Sequence, residues 1–272
     1  LERFHALDAV RGFALMLGIF FHGVMSFLPG EWVWFVLDEQ RSSAAIVIFF
    51  TSHIFRMTTF FVVAGFFAHM LFHKRGLGGF VKNRAARIAL PLVIFWPIVY
   101  AGILGAVILM ATMAGLTGPP PEAPAPPPVP FGFPLTHLWF LYVLLIMYTA
   151  VIVLRAPIAA LDREGKLRAG IDALVSWIVR TPLVGPVVLG APTCALFITN
   201  PEWMLLTGIP TPDNSLIPNL TATVAYGMAF GLGWLLHRNY DAMRAWAKQW
   251  QLYLPLAIGL TAVCLVIHGL QM

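Results

Sequence analysis

Seven apolar stretches, each near the length of a bilayer crossing, constrain this chain more than any motif in it. A crossing helix needs about 20 predominantly apolar residues. The stretches run from Ala9 to Leu28, Ala44 to Leu71, Ile88 to Gly115, Thr136 to Leu154, Leu183 to Thr199, Thr221 to Leu236 and Leu252 to Gln271. The fifth is short and holds Pro186 and Pro192; the sixth is short unless Ile217 to Leu220 join it. Only 11% of the residues are charged, less than half the roughly 25% of a soluble domain, which excludes a soluble fold. The expected fold class is all-α, a polytopic transmembrane helix bundle of about seven spans forming a single membrane-embedded domain over residues 1–272. The stretch after Asp8 is too long and too rich in Phe for a cleaved signal peptide and lacks a small-residue cleavage site, so it reads as a retained first helix. The absent initial Met and an end flush with an apolar run (Gly269, Leu270, Gln271, Met272) point to a trimmed or partial chain.

The net charge of +5 could signal nucleic acid in a soluble protein. Here its placement decides, and no nucleic-acid partner is expected. With the N-terminus in the cytoplasm, the inner loops hold Lys74, Arg75, Lys82, Arg84 and Arg87, then Arg155, Arg163, Lys166, Arg168 and Arg180, then Arg238, Arg244 and Lys248. Adding Arg3 and Arg11 leaves only Arg41 in an outer loop and Arg56 inside a span. That asymmetry obeys the positive-inside rule and fixes the expected orientation in the lipid bilayer. The outer segment "GPPPEAPAPPPVP", Gly118 to Pro130, reads as a stiff polyproline II spacer. Asp162 to Arg180 mixes charges with Ile171, Leu174, Val175, Trp177 and Ile178, the pattern of an amphipathic helix on the cytoplasmic face. Cys194 and Cys264 lie in apolar runs and read as small buried hydrophobes rather than a disulfide pair.

Ionisable residues inside a membrane are costly and default to a functional reading. In "RGFALMLGIFFH", His22 follows Arg11 by eleven positions, about three helical turns, so both share a face about 16 Å apart. Arg11 sits near the inner headgroups, where a snorkelling anchor is the plain alternative. His22 sits in the outer half of the core, where a structural hydrogen bond to a neighbouring helix is the alternative. In "SHIFRMTTFFVVAGFF", His53 and Arg56 are one turn apart at a similar depth. No span offers an acidic partner for Arg56, so a polar cavity, water or a bound anion is expected beside it. His69 and His73 are spaced i,i+4, which suits either a metal or interfacial histidines; with no Cys or carboxylate nearby, no metal is expected. In "KNRAARIALP", Arg84 and Arg87 sit one turn apart on the cytoplasmic side, either gripping phosphates or simply marking topology. "THLWFLYVLL" opens the fourth span with His137, facing a substrate or capping a helix in water, and Trp139, an expected interfacial aromatic.

Taken together, these residues resemble acyltransferase family 3 of the membrane-bound O-acyltransferases. "FHALDAVRGFALMLGIFFH" is similar to that family's first span, "FFVVAGFF" to its second, and Arg84 with Arg87 to its R-x-x-R motif. "SHIFRMTTFF" followed by "HLWFL" is most similar to the branch that succinylates osmoregulated periplasmic glucans. The resemblance runs from about Arg3 to Leu154. It departs at Ala64, where the family often has Ser, and in span number, since the family has about ten. It implies an enzyme of the bacterial inner membrane, a single acyltransferase domain moving an acyl group from cytoplasmic acyl-CoA to a glycan hydroxyl outside. Acyl-CoA is then a donor substrate, with no tightly bound cofactor. His22, Arg11 and Arg56 would be catalytic: His22 as general base or acyl-accepting nucleophile, Arg56 on the oxyanion or a dicarboxylic acyl group, Arg11 drawing in the donor. Arg84 and Arg87 would bind CoA phosphates, and His53, His137 and Trp139 would meet substrate. The rival reading is a transporter or exporter that uses His22, His53 and Arg56.

Overall fold

A computed structural model describes residues 5–29, 37–113, 115, 131–199 and 208–269. The described residues form nine α-helices and, apart from one isolated β-bridge, no extended pairing. They are α1 (His5–Val24), α2 (Ser43–Arg84), α3 (Leu90–Met113), α4 (Trp139–Leu161), α5 (Lys166–Arg180), α6 (Val184–Ile198), α7 (Leu220–Arg238), α8 (Tyr240–Ala247) and α9 (Trp250–Cys264). A π-helical turn, Ala85–Ala89, joins α2 to α3. The proline-rich stretch Gly118 to Pro130 lies outside the described residues.

Four helical runs are long and apolar enough to cross a membrane: His5–Phe27, Ser43–Met113, Thr136–Leu161 and Trp250–Ile267. Five qualify if α5 and α6, bent by 101° at their junction, form one span. This is fewer than the seven apolar stretches in the sequence, for two physical reasons. The second and third stretches belong to one continuous 71-residue helical run with a kink inside it. The segment expected as their loop is itself helical, interrupted only at Gly76, whose φ of 65° and ψ of −177° suit a residue without Cβ. The other reason is that α7 is not uniformly apolar, because protein surrounds it on several sides. It buries Thr221, Ala222, Ala225, Tyr226, Ala229 and Gly233 among others.

The core lies where α2, α4 and α7 meet. Phe61 stacks on Tyr226 with ring centroids 4.7 Å apart, and Trp139 stacks on the other side at 5.6 Å. Lower down, Tyr148 meets the edges of Phe80 and Phe230 at 5.7 and 5.5 Å. These pairings show that α2, α4 and α7 run in the same direction. Their starts are capped locally: Ser42 Oγ accepts from Ala44 N–H at 3.2 Å before α2, and Asn219 Oδ1 from Ala222 N–H at 2.8 Å before α7. Such caps satisfy donors that a helix start leaves open.

Two glycines set the distance between α2 and α7. A Cβ on Gly65 would overlap the Phe230 carbonyl, and one on Gly233 would overlap the Val62 carbonyl. Backbone lies against backbone, as small residues permit in membrane helix pairs. Gly231, two residues away on α7, has nothing within 4 Å of where its Cβ would stand. Gly233→Ala or Gly65→Ala should therefore force the helices apart, at an overpacking cost of about 1–3 kcal/mol. Gly231→Ala should be neutral or slightly stabilising. Thermal unfolding of the three detergent-solubilised variants checks this; equal midpoints for Gly231→Ala and Gly233→Ala would contradict the geometry.

Candidate active site

One polar cluster forms where the C-terminal end of α1 and the N-terminal part of α2 meet the start of α4. His22 comes from the last turn of α1, His53 and Arg56 from α2, and His137 from the 3-10 turn Thr136–Leu138 that leads into α4. The His22 and His137 rings meet edge-on with centroids 4.5 Å apart. Phe21 is the shared wall. It stacks on His53 at 4.9 Å and on Phe49 at 4.8 Å, and the Arg56 guanidinium sits 4.5 Å from its ring centroid.

Arg56 is only 8% exposed, so its charge must be stabilised within the protein. Among the described residues no carboxylate forms an ion pair with it, and its Nε has no hydrogen-bond partner. The ring face of Phe21 supplies cation–π attraction, and Tyr226 on α7 lies within electrostatic reach. Gly18, one turn below His22 on α1, leaves the space: a Cβ there would stand 3.1 Å from Arg56 Nη1. A buried guanidinium with an open Nε beside imidazoles is equipped to hold a carboxylate or a developing oxyanion. The imidazoles can accept a proton from an incoming hydroxyl.

The sequence reading missed what covers the cluster beyond the helix ends. Gly208 covers His53; a Cβ on it would be 3.3 Å from His53 Cδ2, and its φ is 65°. The segments before α4 and before α7 pair as a short ribbon. Phe133 N–H donates to Asn214 O at 3.0 Å, Leu135 N–H to Asp213 O at 2.7 Å and Leu216 N–H to Phe131 O at 3.1 Å. Thr136, just before His137, has a φ of 53°, which a β-branched residue rarely adopts. Its Oγ1 is buried without a hydrogen-bond partner among the described residues. No local periodicity announces these features. The lone Asp in "TPDNS", in a loop short of other charge, was the available signal.

A second charged group gathers at the opposite end of the same helices. The Arg84 guanidinium lies 4.7 Å from the Tyr148 ring centroid and 5.4 Å from that of Phe80. Arg87 and Arg11 both bear on it electrostatically. Arg84 is half-buried and its Nε has no hydrogen-bond partner among the described residues, while Arg87 is exposed. The π-helical turn carries Arg87 and so departs from the simple one-turn face expected of the pair. Arg11 pairs with Asp8 at 3.7 Å and lies 5.9 Å from the Phe67 ring centroid. The structure thus places Arg11 with Arg84 and Arg87, at the far end of α1 from His22.

His69 and His73 stack as an i,i+4 pair with ring centroids 4.0 Å apart, and His69 also reaches a second helix. His69 Nδ1 lies 2.8 Å from His237 Nδ1, and His73 Nδ1 lies 3.0 Å from the His69 carbonyl oxygen. Among the described residues no group of three or more His, Cys, Asp or Glu is arranged to hold a metal. Two expectations need correction. Trp139 is not an interfacial aromatic: it is 7% exposed, since Phe61 and Tyr226 offer more contact than headgroups would. Cys194 and Cys264 are free but exposed on α6 and α9. Those helices pack few of their own residues inside the bundle and turn apolar faces outward.

Comparison with known proteins bears on the whole chain. A family model described as "Acyltransferase domain" matches residues 4–272. "Glucans biosynthesis protein C" of Escherichia coli O157:H7 is 25% identical over 296 aligned residues, covering 97% of this chain and 74% of that protein. The protein of the same description from Shigella dysenteriae serotype 1 is 29% identical over 160 residues, covering 54% of this chain and 38% of its own. The one from Escherichia coli strain K12 is 29% identical over 156 residues, with the same coverage. No solved structure matches the chain.

The wall and the charge should respond differently to removal. Among the described residues Arg56→Leu orphans no buried carboxylate, so its effect on stability should stay within about 1 kcal/mol. Phe21→Ala empties a wall shared by three side chains and should cost about 3 kcal/mol or more. Thermal unfolding of both variants is the check, and the reverse ranking would show that Arg56 is held by something other than Phe21.

Proposed function

We propose a transfer across the bilayer, from the premise that this chain belongs to acyltransferase family 3 and is a membrane acyltransferase. The donor is a cytoplasmic acyl-CoA and the acceptor a glycan hydroxyl outside the bacterial inner membrane. The observation that carries this reading is the separation of two charged groups on one scaffold. His22, His53, Arg56 and His137 gather at one end, and Arg84, Arg87 and Arg11 at the other. The description "Glucans biosynthesis protein C", borne by relatives at 25–29% identity, supports a glucan as the acceptor class.

The same scaffold supports seven passes with a cytoplasmic N-terminus. At about 1.5 Å per residue, the 71-residue run would extend to about 107 Å, more than three times the hydrocarbon thickness of about 30 Å. A turn at Gly76 divides it into a descending and an ascending pass. Because α4 and α7 descend together, the chain must climb once between them, and α5 with α6 provides the path. The match over residues 4–272 supports one domain.

In this reading the inner arginines hold the CoA phosphates, two guanidiniums suiting anionic oxygens. The thioester reaches the outer cluster between the helices. His22 removes the proton from the acceptor hydroxyl as its oxygen attacks the thioester carbonyl. The new C–O bond forms, the C–S bond breaks, and the proton leaves with the thiolate as CoA–SH. In the covalent version the His22 imidazole attacks the thioester, C–N forms as C–S breaks, and its N–H proton leaves with the thiolate as CoA–SH; the hydroxyl oxygen then takes the acyl group, C–O forms as C–N breaks, and the hydroxyl proton returns to the imidazole. Arg56 stabilises the oxyanion, and its open Nε suits the distal carboxylate of a succinyl group. His53 and His137 line the acceptor side.

His22→Ala should insert normally, still bind acyl-CoA and lose on the order of 10² to 10⁴ in transfer rate. Arg84→Ala with Arg87→Ala should weaken acyl-CoA binding and leave protein yield unchanged. Transfer of radiolabelled acyl groups to glucan, alongside a direct affinity measurement, tests both. A His22→Ala protein that keeps more than about a tenth of wild-type turnover would defeat the reading and bring the transporter forward.

A further inference from the structure

Arg84 rests on aromatic rings, and the nearer of them comes from a different helix. Its guanidinium lies over the Tyr148 ring of α4, 4.7 Å from the centroid, and 5.4 Å from the centroid of Phe80, one turn earlier on α2. Among the described residues no carboxylate forms an ion pair with Arg84, and its Nε has no hydrogen-bond partner. Tyr148 is itself firmly held. It is 4% exposed, and it meets Phe80 and Phe230 edge-on at 5.7 and 5.5 Å. Phe80 belongs to α2 and Phe230 to α7, so three helices fix the plane of this one ring. Arg84 is the last residue of α2, where the π-helical turn begins, and its long side chain has several rotatable bonds to be fixed.

We propose that Tyr148 is a positioning residue for donor binding: its ring face fixes the Arg84 guanidinium while leaving the N–H edge free for a phosphate of acyl-CoA. The inference rests on Arg84 binding the donor, as in the reading above. A half-buried charge needs a partner inside the protein. A carboxylate partner would accept from the same N–H groups that a phosphate needs, and the phosphate would have to displace it. A ring attracts the charge through its face and takes up none of those donors. The guanidinium is planar with five N–H donors in its plane, so a ring against its face keeps that plane open at the edge. Partial desolvation strengthens the attraction beyond that of an exposed pair. The other two arginines at this end are placed differently: Arg11 pairs with Asp8 at 3.7 Å, and Arg87 is exposed. Arg56 over Phe21 repeats the arrangement at the far end of α2, with 4.5 Å to the ring centroid.

The test is a double-variant cycle on succinyl-CoA binding, measured by calorimetry on the full chain in lipid nanodiscs. Arg84→Ala should weaken binding. Tyr148→Leu, apolar but without a ring, should weaken it about three- to thirty-fold. Tyr148→Phe keeps the ring face and should retain the wild-type affinity. Tyr148→Leu combined with Arg84→Ala should bind no more weakly than Arg84→Ala alone, because the ring acts only through the guanidinium. In transfer to glucan, the Tyr148→Leu loss should fall on the succinyl-CoA KM and not on kcat. A ring that merely fills the core would give the same loss with or without Arg84, and that outcome overturns the proposal. So does wild-type affinity in Tyr148→Leu, or a Tyr148→Phe protein as weak as Tyr148→Leu. Tyr148→Met, flexible enough to fill the space without a π face, supplies the same comparison if Tyr148→Leu does not fold. Unchanged binding in Arg84→Ala would instead overturn the donor reading on which the inference rests.

Discussion

Everything in this bundle depends on how closely α2 and α7 approach. Lipid chains are as apolar as Leu, so helices in a bilayer gain little by merely hiding apolar surface from it. Association must come from contact, and contact is closest where Cβ atoms are absent. Gly65 and Gly233 each face the other helix's backbone, which fixes both separation and register. From that crossing the consequences run in both directions. Toward the helix starts, Phe61 stacks on Tyr226, and Tyr226 comes within reach of Arg56. Toward the helix ends, His69 meets His237. A slip of one residue would rotate these partners by about 100° relative to one another and dissolve both ends.

The crossing also explains why α7 can carry Thr, Ala and Gly among its large apolar residues yet be central. Its Ala222, Ala225 and Ala229 are buried against protein and need not satisfy lipid. The helices that do face outward, α3 and α9, bury none of their own residues and are correspondingly apolar throughout. Hydropathy therefore identifies the periphery of such a bundle better than its centre. The helix that organises the core is the one the apolarity criterion passes over.

The same division decides how much was legible in the sequence. Depth was legible: counting along two helices of opposite direction places His22, His53 and Arg56 at one level, and the structure brings them around Phe21. Charge asymmetry likewise separated Arg84 and Arg87 from that level. What was not legible depended on contacts between distant segments. Trp139 looks like an interfacial aromatic until Tyr226, 87 positions later, is known to lie against it. Cys194 and Cys264 look buried because their neighbours are apolar, but in a bilayer apolar neighbours also mark the outside. The strained Thr136 and the ribbon partner Asp213 belong to loops, where neither periodicity nor hydropathy carries information.

The loops matter because they cover the cluster that the helices build. The ribbon bonds lay the segment before α7 against the segment before α4, and the His137 ring that follows meets that of His22. Gly208 adds cover over His53. The strained residue between them, Thr136, is then the point where a loop geometry is forced to meet a helix geometry. Its φ of 53° is a local cost that lets His137 join the two.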